Sequence, residues 1–171
     1  MIVEEEKKLE QNQIEQPISP GARTAITGLF GGVFWSLLGY GAYIFSFTKV
    51  PPNVILEPWT IGDWKSGVLG QFIAIFLLGL ISILVAFGYM ATLKKFDKFW
   101  IGILFGLLLW GIVFFVLNPI FPSIDPIRKL DLNTIVTSLC LFILYGTFIG
   151  YSISFEAAQL IVKEEPNYSK E

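Results

Sequence analysis

A chain of 171 residues that is 54% hydrophobic and 15% charged is too poor in charge for a water-soluble domain, for which about 25% is usual. Its net charge of −2 comes from acids and bases that are interspersed, so no basic face suits a nucleic acid. The chain has no His, which excludes Ser-His-Asp triads and His-ligated zinc or haem; its single Cys, Cys140, excludes an intrachain disulfide or a Cys cluster.

Residues 1–23 form a polar tail in which Glu, Gln and Lys precede Pro17 and Pro20, a composition that favours disorder or loose helix. Glu4 to Lys8 are too polar for a secretory h-region, and Ile2 stands where myristoylation needs glycine, so the first apolar stretch is expected to target the chain. That stretch runs from Thr24, a candidate N-cap, to Phe47. Three more follow, Gly67 to Leu93, Phe99 to Leu117 and Asn133 to Phe155, and none of the four contains Asp, Glu, Lys or Arg. A bilayer core about 30 Å thick takes roughly 20 apolar residues of helix, and one central charge would cost about 2.5–3.5 kcal/mol on insertion scales. The predicted fold is therefore all-α: an integral membrane bundle of four transmembrane helices over residues 24–155, with 156–171 a helical extension and tail that Pro166 stops.

The connections differ. Thr48 to Ser66 holds Pro51, Pro52, Pro58, Trp59, Asp63, Trp64 and Lys65, so prolines oppose a regular helix and the tryptophans suit an interface. Lys94 to Lys98 is short enough to be a tight turn between antiparallel helices. Asn118 to Leu132 carries Pro119, Pro122 and Pro126 with Asp125, Arg128, Lys129 and Asp131, and Asp131, Asn133 or Thr134 is available to cap the last helix. One side of the membrane receives eight bases: Lys7, Lys8, Arg23, Lys94, Lys95, Lys98, Lys163 and Lys170. The other receives four: Lys49, Lys65, Arg128 and Lys129. The positive-inside rule makes the first side cytoplasmic, with both termini.

Small residues recur at four-residue spacing: Thr24, Gly28, Gly32 and Ser36 on the first span, Gly102 and Gly106 on the third, Gly146, Gly150 and Ser154 on the fourth. Such ridges let helices approach closely where lipid offers no hydrophobic drive. The simpler reading is packing within one bundle; the functional one is docking of another membrane protein or a second copy. Cys140, mid-span, reads as a small apolar packing residue. Trp35 and Trp110 lie near the midplane, where a ligand pocket between the first and third spans competes with plain packing in which each indole N–H finds an oxygen. Trp59, Asp63, Trp64, Lys65, Asp125, Arg128 and Lys129 make the two extracytoplasmic connections a candidate working surface, pairing Asp63 with Lys65 and Asp125 with Arg128 or meeting a headgroup. Solvated loop charges are the plainer account. No nucleophile elbow, metalloprotease helix, P-loop or dinucleotide fingerprint occurs, and no cofactor is implied.

Four segments carry a family likeness: Gly21 to Gly32, Pro52 to Trp59, Leu117 to Pro122, and Leu144 to Ser154. They resemble the YqhR family, small multi-pass membrane proteins of Bacillus-type bacteria. The resemblance implies a bacterial plasma membrane and carries over no catalytic or binding residue. Together these observations point to a non-enzymatic membrane protein acting by association with another membrane protein or with itself. The alternative is a binder or carrier of a lipid or other apolar molecule, its path lined by Tyr40, Ser82, Tyr89, Thr137, Tyr145 and Thr147. Membrane lipids are partners under either reading.

Overall fold

The computed structural model of the chain describes residues 19–58, 62, 67–93, 99–121 and 124–164, and among these it is helical throughout, without strands. Four helices follow in order: α1 Pro20–Ile44, α2 Val68–Leu93, α3 Phe99–Gly111 and α4 Leu132–Glu164. A single π turn, Ile112–Val116, prolongs α3, and 3-10 turns at Pro52–Leu56 and Asn118–Ile120 lie in the two long connections. By length and composition, α1, α2 and the Leu132–Phe155 part of α4 can each cross a membrane, and Trp100–Val116 is a shorter apolar helix. At 1.5 Å per residue this shorter helix spans roughly 25 Å, the low end of what reaches across a bilayer. Its end is set by Asn118-Pro119, where the proline cannot continue an α-helix.

The helix ends correct two sequence expectations. The first helix starts at Pro20, not Thr24: Ser19 accepts a hydrogen bond from the Ala22 N–H at 3.3 Å, and proline suits the first helical position. Thr24 is buried within the helix, its hydroxyl donating to the Pro20 carbonyl at 3.0 Å beside the Met90 sulfur. At the other end α1 stops at Ile44, short of Phe47. Ser46 takes a left-handed φ of 61°, while the N–H groups of Ser46 and Phe47 return to the carbonyls of Tyr43 and Ala42. That is a Schellman closure with serine in the place glycine usually takes. Asp131 caps α4, accepting from the Thr134 N–H at 3.4 Å. The helix runs on to Glu164, close to the expected stop before Pro166.

The substantial helix contacts are α1 on α2, α3 on α4, α1 on α4 and α2 on α4. Thus α4 touches every other helix, and α1 and α3 have no comparable interface. Two apolar clusters sit at opposite ends. Toward the start of α1, Ala86, Tyr89, Ile149 and Ile153 are buried together; where the long connections lie, Val54, Phe114, Phe121 and Ile124 are.

Candidate functional site

Every glycine singled out in the sequence lies against a neighbouring helix of the same chain. A methyl built on Gly28 would sit 2.9 Å from both Ala86 Cβ and Ile83 Cα, and one on Gly32 would meet Ser82 and lie 2.8 Å from Gly79 Cα. Gly79, Ser82 and Ala86 thus form the α2 side of this seam, and Ser36 lies part-exposed one turn farther along α1. The second seam is tighter. A methyl on Gly102 would lie 2.8 Å from Thr147 Cα, one on Gly106 2.8 Å from Ile143 Cα, and one on Gly146 2.6 Å from the Gly102 oxygen. Gly150 faces Gly102 Cα and the Tyr89 hydroxyl at 2.9 and 3.0 Å by the same construction. Gly31 was not singled out; it lets α1 approach Phe148 and Ile149 of α4.

Polar side chains inside the bundle bind one another. The Ser82 hydroxyl donates to the Gly28 carbonyl at 2.6 Å and lies 2.6 Å from the Tyr145 hydroxyl, linking α1, α2 and α4. The Ser82 proton being engaged, Tyr145 supplies the other. Trp110 Nε1 donates to Ser138 Oγ at 3.0 Å, the oxygen partner expected of a buried indole. Trp35 differs: its Nε1 is buried with no hydrogen-bond partner among the described residues. With α4 packed on both α1 and α3, the two tryptophans do not share a pocket. Of the residues considered for an apolar path, Tyr89 is buried edge-on against Phe105 at 4.9 Å, and Ser82 and Tyr145 are the bonded pair. Cys140 is exposed on the outside of α4, not packed as the sequence suggested.

The two long connections converge on one end of the bundle. The Asn53 N–H donates to the buried Gln71 Oε1 at 3.2 Å, which pins the Pro52–Leu56 turn to α2. The Lys49 N–H donates to Thr134 Oγ1 at 3.0 Å, and its ammonium lies 3.2 Å from Asp131. Burial raises the Asp131 carboxyl, but hydrogen bonds from Thr134 and Lys49, with the Lys49 charge, outweigh it and leave the carboxyl below its ordinary range. Asn118 Nδ2 closes the other loop on the carbonyls of Ile124 and Asp125 at 3.2 and 3.4 Å. Apolar side chains from both connections fill the space between these anchors. Asp125, Arg128 and Lys129 are exposed, and among the described residues an ion pair joins Lys49 to Asp131, a pairing not expected from sequence. Trp59, Asp63, Trp64 and Lys65 lie outside the described residues, as does the Lys94 to Lys98 turn. No group of three His, Cys, Asp or Glu side chains comes together among the described residues.

Residues 4–168 match the family described as conserved membrane protein YqhR. The chain belongs to the YqhR family. A Bacillus subtilis (strain 168) relative, Uncharacterized protein YqhR, is 48% identical over 160 residues, covering 91% of this chain and 90% of the relative. No solved structure matches the chain. The YqhR-like segments fall on structural joints: Gly21 to Gly32 and Leu144 to Ser154 hold one face of each glycine seam, and Leu117 to Pro122 ends the α3 helix. The protein is a membrane-embedded helical bundle.

Proposed function

We propose that the protein is a non-enzymatic component of the bacterial plasma membrane that acts by association through its outer surface. One observation carries this reading: the charge-free interior is committed to internal packing, with both glycine seams closed within the chain and Ser82, Tyr145, Trp110 and Ser138 bonded to one another or to backbone. Proton-coupled carriers place ionisable groups inside the membrane, and the four apolar stretches have none. What remains for a partner is the outside of the helices and the end where the two connections meet.

Purification from native membranes in a mild detergent, with mass spectrometry of protein and lipid, tests the reading. A stoichiometric membrane-protein partner is expected. Protein-containing liposomes that carry protons, where empty ones do not, would overturn it. We place both termini in the cytoplasm, on the eight-to-four distribution of basic residues. In a Cys140→Ser background, cysteines at Asn12, Lys95 and Tyr168 are expected to resist an impermeant maleimide in intact cells, while cysteines at Asn53 and Ser123 react. The reverse pattern would invert the orientation.

A further inference from the structure

At the end of the bundle where the long connections meet, Arg128 and Lys129 are carried on a closed turn. The Lys129 N–H donates to the Pro126 carbonyl at 2.7 Å, which makes residues 126–129 a β-turn. Both flanks of the turn are anchored. Asn118 Nδ2 holds the carbonyls of Ile124 and Asp125, Ile124 is buried in the apolar cluster at this end, and Ile127 and Leu130 pack against the same cluster. Between these two inward residues stand Arg128 and Lys129, both exposed. Neither makes an ion pair or a side-chain hydrogen bond among the described residues. The nearest acids in the chain leave them so: Asp131 is engaged by Lys49, and Asp125 is exposed and pairs with neither. The turn also borders the lipid-facing surface. Ile120 at the end of the third helical segment is 52% exposed, and Leu132 at the start of α4 is 74% exposed. Leu132 follows Lys129 by three residues, a span of at most about 10 Å. The polar layer on each side of the hydrocarbon core is about 5–8 Å thick, so the two cations stand at headgroup level.

We propose that this turn binds the phosphate of an anionic glycerophospholipid in the leaflet it borders, with Arg128 and Lys129 as the donors. The guanidinium offers a planar fork that matches phosphate oxygens, and the ammonium beside it adds a mobile point charge. Basic residues at the membrane surface are drawn to anionic lipid, and the attraction falls off within a Debye length, so a site at headgroup level uses it fully. Because the turn is closed and anchored before any ligand arrives, little backbone freedom is lost on binding. The exposed side chains of Ile120 and Leu132 select the source of the phosphate. A soluble phosphate ester would engage the cations and leave that rim bare, whereas a phospholipid lays its glycerol and chains against it. The inference goes beyond the association reading and does not depend on it, since a headgroup on this turn needs no protein partner.

Native mass spectrometry of the full chain in nonionic detergent, with phosphatidylglycerol and phosphatidylcholine of identical chains added at equal concentration, tests it. The parent is expected to retain phosphatidylglycerol in preference to phosphatidylcholine. Arg128→Gln combined with Lys129→Gln is expected to lower that preference about tenfold, as the loss of two surface cations implies. Both side chains are exposed and unbonded, so this variant is expected to fold. Arg128→Lys combined with Lys129→Arg keeps both charges and is expected to keep the preference. Lys163→Gln combined with Lys170→Gln removes the same charge from the C-terminal tail and is expected to leave the preference as in the parent. Glycerol phosphate at the lipid concentration is expected not to displace the bound lipid. An unchanged preference in the Arg128 and Lys129 double variant would overturn the proposal. So would an equal loss in the Lys163 and Lys170 double variant, because the attraction would then belong to net charge and not to the turn. Displacement of the lipid by glycerol phosphate would overturn it too, since the site would then serve a soluble phosphate ester.

Discussion

The two glycine seams look alike in sequence and differ in what the glycines touch. Between α1 and α2, the atoms nearest to Gly28 and Gly32 include side chains, Ala86 Cβ and the Ser82 side chain, and a hydroxyl bond reinforces the seam. Between α3 and α4, the atoms nearest to Gly102, Gly106 and Gly146 are all backbone. Of these side-chain atoms only Ser82 Oγ can turn by a rotamer, since a Cβ is fixed to its own backbone, but the second seam sets backbone against backbone throughout and so has even less to yield. Identical spacing therefore hides unequal mechanical roles.

The largest expected effect breaks the tighter seam. Gly106→Ala and Gly146→Ala should each lower stability by about 3 kcal/mol, the upper range for overpacking, read as thermal unfolding in detergent. Gly28→Ala and Gly32→Ala should cost less, about 1–2 kcal/mol, because fewer backbone atoms oppose the added methyl there. Equal losses across the four positions would erase the distinction between the seams. Next in size is the hydroxyl link: Ser82→Ala or Tyr145→Phe should cost about 1 kcal/mol, within the modest range measured for hydrogen bonds between membrane helices. The double variant should cost less than the sum if Ser82 and Tyr145 act as one unit. Gly41→Ala and Gly88→Ala sharpen the comparison from the other side, since a methyl at either meets nothing within 4 Å. Their melting should match the parent.

The smallest effect lies outside the membrane. The Asp131 carboxyl sits below its ordinary value in the folded chain, so its contribution is present at neutral pH and fades as pH falls through the folded value. The parent should therefore show a slight acid destabilisation below about pH 4, which Asp131→Asn should flatten. An identical acid profile in the two proteins would remove Asp131 from the account.

Much of the architecture was legible because its causes are local. Charge-free runs mark the helices, and four-residue glycine spacing marks the α1, α3 and α4 faces of the seams. The α2 face carries no such mark because its small residues, Gly79, Ser82 and Ala86, are spaced by three and then four. Helix pairing was not legible either, since any ridge can meet any other until the tertiary structure forms. Thr24 has the chemistry of a cap, yet Ser19 followed by Pro20 offers an earlier start, and burial of Thr24 against Met90 favours it as an interior residue. The loop charges attracted attention in the sequence, but the described loops are held by apolar contacts and by Gln71, Thr134 and Asn118, polar residues that no motif flags.

The central claim is that both seams are closed within one chain. Melting of the parent and of Gly146→Ala over a hundredfold dilution in detergent tests it most directly, because stability gained from a second subunit depends on concentration. The account predicts a parent melting temperature that does not move with dilution, and a Gly146→Ala melting temperature lower by the same amount at every concentration. A parent that melts lower as it is diluted, beside a Gly146→Ala variant that does not, would place that seam between chains and contradict the account.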